Sequence, residues 1–226
     1  MKEERSNILS IESAVAGGSV ALFSVERGTI LRHDGNDCSR AEKIISVVRS
    51  LLEEAGLTLP DLNMIAASTG PGSYSGIRIG LSTALGLTSA LNIPIVGVSV
   101  LDAMANAAEC TTPVIAAVPV GKSDVAWQRF EIRENGSRRS NEGPVLMSSA
   151  SFIDNLKRMP DSTLFAHSEL LERVAGLIPD NTTWIDAGIG LAEYVGRFAS
   201  SLDHTPVTPR PIYLRNSDTA FRTNAF

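Results

Sequence analysis

The sequence predicts a two-lobed α/β protein with mixed sheets flanked by helices. Its 226 residues are 43% hydrophobic, enough to bury one large core or two small ones. The first half reads as three strands, helix, strand, helix, strand, helix, and the second half repeats that order without repeating the residues. We therefore expect lobes at 1–106 and 107–205, and a tail at 206–226 that crosses back to the first lobe.

In the first half, short apolar segments predict strands and periodic segments predict helices. One helix face is apolar at spacings of three and four, and Gly56 supplies a C-terminal stop; the residues of that face are Ile44, Ile45, Val48, Leu51 and Leu52. The predicted strands lie at 7–13, 19–25, 29–33, 62–68 and 95–99, and the predicted helices at 40–55, 75–91 and 100–108.

In the second half, the same signals recur, with a strong turn at Glu134-Asn135-Gly136. The predicted strands lie at 113–118, 125–133 and 163–166, with an extended piece up to 147 and a last strand at 183–186. The predicted helices lie at 150–157, 168–177 and 191–199.

Composition limits the classes of function. The formal net charge is −5 and the pI is near 5.3, whereas a protein that binds nucleic acid by itself usually has a basic face. Any RNA is therefore expected to be held by a partner. The charged first residues do not resemble a signal peptide, no apolar run is long enough for a bilayer, and Cys38 and Cys110 are isolated. These observations favour the cytoplasm.

A glycine-rich segment, STGPGSYSGIRIG at 68–80, lies between a buried strand and the second helix. Gly70 and Gly72 permit close approach of the backbone, and the helix start near Ser73 attracts anions, to which Arg78 adds a cation. The segment lacks the lysine of a P-loop and the spacing of a dinucleotide fingerprint. Weak nucleotide or anion binding is one hypothesis, and a tight turn without a ligand is the other.

Two further features accompany this loop. Glu12 ends the first strand near two glycines, where phosphate-handling proteins of two lobes hold a metal ion through water, but one carboxylate is not a metal site. Ala187–Gly190 (AGIG) follows a late strand and is a second glycine loop that would face the cleft. The helix at 75–91 carries small residues such as Gly80 and Gly86, which fit either a buried crossover helix or a subunit contact.

Five segments of the chain carry one resemblance. They are ILSIESAVAGGSVAL (8–22), RAEKIISVVRSLLEEAGL (40–57), TGPGSYSGIRIG (69–80), IPIVGVSVLDAMA (93–105) and PIYLR (211–215). Together they resemble the TsaB (YeaZ) family of the tRNA threonylcarbamoyladenosine biosynthesis system. The chain has Glu12, Arg40 and Ser46 where the family pattern has aspartate, histidine and proline, and PVGKSDVAW (119–127) replaces DARRGEVY. It is therefore identified as a divergent member.

The resemblance implies a duplicated fold of the actin, hexokinase and Hsp70 type, which is ribonuclease H-like, and a role without catalysis. Proteins of this family pair with the catalytic paralogue TsaD and, with the ATPase TsaE, support transfer of threonylcarbamoyl to adenosine beside the tRNA anticodon. This chain lacks the HxxxH pair of the paralogue. No catalytic residue and no metal are expected, and ATP or ADP with Mg²⁺ would bind only at an interface with the paralogue.

The resemblance also gives the two N-terminal helices a use. Family members form homodimers, or heterodimers with the paralogue, through the helices that correspond to 40–55 and 75–91. An apolar centre is typical of such an interface. The residues predicted to supply it are Ile44, Val48, Leu81, Ala84 and Leu85.

Two enzyme alternatives stay open at this point. One is a small nucleotide-binding phosphotransferase or phosphatase of the same fold class, which would use Glu12 and the two glycine loops. The other is a glycoprotease-like peptidase, suggested only by the older naming of the family. Ser73 lacks the flanking glycines of a nucleophile elbow, and the three histidines are scattered along the chain, so the peptidase is the weaker alternative.

Overall fold

The computed structural model describes residues 7–24, 28–34, 41–134, 136–159, 161–202 and 209–214. These residues form two mixed β-sheets with helices on their faces, which confirms the predicted fold class. Arg40, Asn135 of the predicted turn, and most of the predicted tail (206–208 and 215–226) lie outside the described residues.

The elements of the first half form in the predicted order, because the apolar periodicity changes from strand to helix at each turn. A 3₁₀ turn at Leu59–Asp61 precedes the fourth strand. The bounds are β1 Asn7–Glu12, β2 Ser19–Ser24, β3 Gly28–Asp34, α1 Ala41–Glu54, β4 Met64–Ser68, α2 Tyr74–Leu91, β5 Ile95–Val98 and α3 Val100–Ala107.

The second half follows with two differences from the prediction. The helix predicted at 168–177 ends early at Arg173, because Val174 leaves the helical conformation with φ −105° and ψ 11°, and the chain then turns through Gly176 at φ +75°. The extended piece up to 147 is divided into two short strands. The bounds are β6 Val114–Val120, β7 Asp124–Ile132, β8 Arg138–Arg139, β9 Val145–Ser148, α4 Ser149–Leu156, β10 Thr163–Ala166, α5 Ser168–Arg173, β11 Trp184–Asp186 and α6 Ala192–Ser200.

The two sheets share one topology. The first has the order β3-β2-β1-β4-β5, with β1, β2 and β3 antiparallel and β1, β4 and β5 parallel. The second has the order β11-β10-β6-β7-β8, and β9 also pairs with β7. Read in reverse, the second sheet is β8-β7-β6-β10-β11. It matches the first sheet position by position when β8 and β9, which both pair with β7, are counted as one edge position. This duplicated topology is the one that the resemblance implies.

Helices cover both sheets and also join them. Helices α1 and α2 lie on one face of the first sheet, and α4 and α5 lie against the second sheet. Helix α6 packs on β1 and β2 of the first sheet, although it comes last in the chain, and α3 packs on β6 of the second. The same two helices contact each other. Because they form a shared layer between the sheets, the lobe boundaries at 106 and 205 stay a prediction.

The described part of the tail, 209–214, lies along the first half of the chain. The Ile212 N–H donates to the Thr69 carbonyl at 2.8 Å, and the rings of Tyr213 and Tyr74 pack at a centroid distance of 4.8 Å. Pro209 lies against Gly97 so closely that a side chain there would collide with it. These contacts place the tail beside the glycine-rich loop.

Candidate functional site

The glycine-rich loop connects β4 to α2 in a tightly determined conformation. Gly70 has φ +91°, a left-handed value that favours glycine, and the Gly70–Pro71 peptide bond is cis. Ser73 caps α2 with its Oγ, which accepts the Gly76 N–H at 3.3 Å. The loop therefore orients the start of α2, as the tight-turn hypothesis requires.

The glycines of this region face the turn between β1 and β2. The Ser73 N–H donates to the Ala14 carbonyl at 2.7 Å, and a Cβ on Gly72 would lie 2.8 Å from the Cβ of Ala14. A Cβ on Gly76 would overlap the carbonyl oxygen of Ser13. The Ser13 hydroxyl in turn donates its Oγ–H to the Gly76 carbonyl at 2.8 Å. The space above these glycines is filled by the protein's own backbone.

Glu12 is enclosed at the end of β1. Its Oε1 accepts the N–H groups of Ala14 at 2.7 Å and Val15 at 3.1 Å, whereas its Oε2 is buried without a hydrogen-bond partner. Burial raises the pKa of this carboxyl to about 7, and the two backbone hydrogen bonds oppose that rise. Glu12 thus has a raised pKa, and its carboxylate is bound by backbone N–H groups of the loop that follows it.

Arg78 contacts Tyr74 one turn earlier in the same helix. Its guanidinium lies 5.5 Å from the ring centroid of Tyr74, and its Nη1 donates to the Tyr74 hydroxyl at 3.3 Å. Within the described ranges, no group of three metal-ligating side chains is close enough to hold an ion. With Gly72 and Gly76 packed on the β1–β2 turn, this set does not fit a nucleotide phosphate with its metal ion. The weak anion role of Gly70, Gly72, Ser73 and Arg78 stays a prediction.

The second glycine loop, 187–190, is closed against the first sheet. A Cβ on Gly190 would overlap the carboxylate of Asp34 in β3, and the Ala192 N–H donates to Ser19 Oγ at 2.8 Å. Just beyond the loop, Glu193 of α6 forms an ion pair with Arg32 of β3 at 2.7 Å. This loop therefore joins the two halves of the chain by direct contact.

Of the five residues predicted for the partner surface, four are buried and one is exposed. Ile44, Val48, Leu81 and Ala84 are buried within the chain, at 0 to 7% exposure, and belong to its main hydrophobic core. Leu85 alone of the five is exposed, at 40%. The four buried residues form an apolar stripe that packs α1 and α2 on the first sheet. The partner role of the five residues stays a prediction.

The sequence reasoning missed an exposed apolar groove beside this stripe. Ile45 and Leu59 are each 39% exposed, and the groove has a volume of about 400 Å³. The prediction that Ile45 shares the buried face of the first helix is wrong: Ile44 is fully buried, whereas Ile45 lies at the edge of that face and opens onto the groove. Its lining includes Ile45, Val48, Leu52, Leu57, Leu59 and Leu87.

Other residue predictions concern cysteine and membrane helices. Cys110 is a free thiol, and Cys38 lies outside the described residues. None of the helices in the described part of the chain combines the length and hydropathy that crossing a bilayer requires.

Comparison with known proteins gives matches across most of the chain. Residues 38–172 match the family model described as TsaD: tRNA N6-adenosine threonylcarbamoyltransferase. The tRNA threonylcarbamoyladenosine biosynthesis protein TsaB of Escherichia coli (strain K12) is 37% identical over 157 residues, 67% of each chain. The protein of the same name from Buchnera aphidicola subsp. Schizaphis graminum (strain Sg) is 35% identical over 103 residues. That match spans 45% of this chain and about half of the relative, 48%.

Solved structures support the same fold. A Pseudomonas aeruginosa protein described as similar to peptidase YEAZ superposes with a TM-score of 0.67 and 23% identity, covering 93% of this chain and 100% of that one. YeaZ from Pseudomonas aeruginosa gives a TM-score of 0.66 at 23% identity, covering 92% and 100%. The family model matches more than half of the chain, and the E. coli relative is 37% identical over two thirds of it. The chain therefore belongs to the TsaB (YeaZ) family.

Proposed function

We propose that this chain is a non-catalytic partner subunit in the biosynthesis of tRNA threonylcarbamoyladenosine. It binds and supports a TsaD-like catalytic paralogue, which transfers threonylcarbamoyl to adenosine. Membership of the TsaB family and the match to the TsaD family model support this role. One structural observation carries it: the chain's own β1–β2 turn fills the space above the glycines where a phosphate would sit, while the outward face of α2 is uncovered.

The outward face of α2 has the properties of a protein interface. Gly86 has nothing within 4 Å of the position where a Cβ would stand, unlike Gly76 and Gly80 earlier in the helix. A glycine inside a helix lowers its stability, so an exposed one without a packing partner needs another explanation. Leu85 lies next to it, and Ile45 stands exposed on the neighbouring helix α1. We propose this α1–α2 surface as the docking site.

The proposal extends to the other members of the system. Alone, the chain forms a homodimer through the same α1–α2 surface, and the paralogue replaces the second copy. A TsaE-like ATPase and the tRNA join through the paralogue. ATP or ADP with Mg²⁺ binds only where the two chains meet, because the geometry around Glu12 offers no cradle in this chain alone. The proposed location is the cytoplasm, where the sequence also placed it.

A charge placed on α2 tests the docking site. In Leu85→Arg, a cation replaces an exposed apolar side chain that would be buried in the complex, and burying an unpaired charge costs several kcal/mol. We expect the variant to lose co-purification with the paralogue and to lower the threonylcarbamoyladenosine content of tRNA in cells that depend on it. Ile132→Arg is the matched control, since Ile132 is 38% exposed and lies in β7. The control should bind normally.

Calorimetry separates this role from the phosphotransferase alternative. The proposal predicts no heat of ATP–Mg²⁺ binding to the chain alone, and binding once the paralogue is added. Tight binding by the chain alone, lost in Glu12→Ala, would support an enzyme. If Leu85→Arg and Ile132→Arg both still co-purified with the paralogue, the α1–α2 docking site would be contradicted, while the family role could still hold.

A further inference from the structure

A second groove lies on the other half of the molecule, between α5, the turn that follows it and β11. Its volume is about 550 Å³, within the range of about 300–1,000 Å³ that is usual for ligand sites. Leu171, Ile178 and Pro179 give it apolar walls. This groove is separate from the α1–α2 surface and has no part in the proposed function.

The groove carries concentrated negative charge. Glu172, Asp180 and Asp186 line it, and no lysine or arginine is among the described residues that do. None of the three carboxylates forms an ion pair with a described basic side chain. The Asp186 carboxylate accepts hydrogen bonds from Ser168 Oγ and the Gly188 N–H, both at 2.7 Å, which fixes its position. The charge complement of this groove is therefore a cation.

A buried hydroxyl in the same wall gives an independent indication. Thr182 lines the groove and is only 8% exposed, yet its Oγ1 has no hydrogen-bond partner. Buried polar groups in native proteins are almost always satisfied, so one without a partner calls for a missing group. A hydroxyl oxygen has two acceptor positions and accepts readily from a cationic N–H.

Trp184 adds an aromatic surface. It is 53% exposed although it lies in a β-strand, and it belongs to the lining. A guanidinium that stacks on an indole ring gains a cation–π attraction, about 0.5–1 kcal/mol at exposed sites and more when desolvated. Leu177, 60% exposed, lies between two lining residues in the chain. A large exposed leucine next in the chain to lining residues, together with an exposed tryptophan in the lining, is typical of a surface that meets another protein.

We propose that this groove receives an arginine side chain presented by a segment of a partner protein. The planar guanidinium stacks on Trp184 and donates to the carboxylates of Glu172, Asp180 and Asp186, and one further N–H reaches Thr182. Arginine fits better than lysine because its donors form a rigid fork that matches carboxylates and its flat face stacks on rings. The neighbouring apolar residues of the partner cover Leu177.

A peptide titration followed by tryptophan fluorescence tests the proposal. The probe is acetyl-Leu-Arg-Leu-amide, and the comparison peptide carries neutral citrulline in place of arginine. We expect a saturable change with the arginine peptide and binding weaker by about tenfold or more with citrulline. Trp184→Ala and, separately, Glu172→Gln should each weaken binding of the arginine peptide at least about tenfold by calorimetry. Glu42→Gln, the same charge change on α1 of the first half, should bind like the parent.

Three results would overturn the proposal. No saturable signal means that the groove binds no arginine, and equal binding of the citrulline peptide means that only its apolar walls are used. Binding of spermidine as tight as that of the arginine peptide would assign the groove to a small polyamine. Circular dichroism of each variant confirms that lost binding is not lost folding. Failure here leaves the paralogue interaction of Leu85 untouched, so the two proposals are tested separately.

Discussion

At the scale of single residues, the carboxyl of Glu12 is the most unusual group in the first half. Strand alternation places Ser10 and Glu12 on the face that α6 covers, and a Cβ on Gly196 of α6 would lie 2.9 Å from Ser10 Oγ. Burial raises the pKa of Glu12 to about 7 against an ordinary value of 4.5. Below about pH 7 the folded protein therefore keeps Glu12 protonated, and ionisation of this carboxyl opposes folding.

This pKa predicts how stability depends on pH. Between about pH 4.5 and pH 7 the unfolded chain has lost the Glu12 proton while the folded chain keeps it, so the free energy of unfolding falls as pH rises. The loss from this group is on the order of 3 kcal/mol. Glu12→Gln keeps an oxygen for Ala14 and Val15 but cannot ionise. We expect the variant to match the parent near pH 4.5 and to exceed it in urea unfolding at pH 8.

Parallel stability curves for the two proteins from pH 4.5 to pH 8 would contradict this prediction. The sequence alone places Glu12 at a strand end beside glycines. It does not show that both oxygens are enclosed, because the enclosure depends on the packing of the β1–β2 turn and of elements far along the chain. For the same reason, the sequence did not predict that Ala14 packs against Gly72.

At the scale of elements, helix α2 contains glycines with two different uses. Gly76 and Gly80 touch Ser13 of the β1–β2 turn, four residues apart on one face of the helix. Gly86 lies on a different, open side of the helix. The sequence showed a helix rich in small residues and left a buried crossover and a subunit contact open. The structure shows the buried contact, and the open side is the surface proposed for the partner.

Two alanine substitutions separate these uses. Gly76→Ala introduces a Cβ that overlaps the Ser13 carbonyl, so we expect a loss of about 1–3 kcal/mol in the free energy of unfolding. Gly86→Ala adds a Cβ in open space and removes a helix-interior glycine. It should gain about 0.5–1 kcal/mol. Thermal and denaturant unfolding measure both, and equal effects of the two changes would contradict the packing difference.

The interface prediction illustrates what periodicity can and cannot decide. The resemblance pointed to the helices at 40–55 and 75–91, and an apolar centre was predicted there from Ile44, Val48, Leu81, Ala84 and Leu85. The first four form the apolar stripe of α1 and α2. Such a stripe serves the chain's own core first, because a helix on a sheet must bury its apolar face to be stable. Only Leu85, next to the stripe, is free for a partner. The exposed apolar residues beside the stripe, such as Ile45, can be recognised only after the structure shows which residues form the core.

At the scale of the whole molecule, α3 and α6 form a common layer between the sheets. Apolar residues from β1, β4, β5, α3 and α6 share one cluster, and α3 also reaches the core of the second sheet. The repeated order of elements was enough to predict two halves with mixed sheets, since each half follows the same connection rules, whereas the strand order within each sheet comes from the structure. The exchange of helices was not predictable, because it depends on contacts between residues far apart in sequence.

The shared layer predicts that both sheets unfold together. We expect the slowest-exchanging amides of β1 and β4 and those of β6 and β10 to report the same free energy of opening within about 1 kcal/mol. Gly196→Ile should lower protection in both sheets, because a Cβ there meets Phe23 at 3.2 Å and Ser10. Gly143→Ala, where a Cβ meets nothing, is the control. Lower protection confined to one sheet would show that the halves unfold independently.

The position of α6 has a consequence for the order in which the chain is made. The ribosome completes β1 and β2 long before it reaches Ala192–Ser200, which cover one face of those strands. Until then the buried side of Ile8 and Phe23 lacks its native cover. During translation the first sheet therefore has to persist as an incomplete intermediate with an apolar face open to chaperones, and its folding finishes only when the late helix emerges.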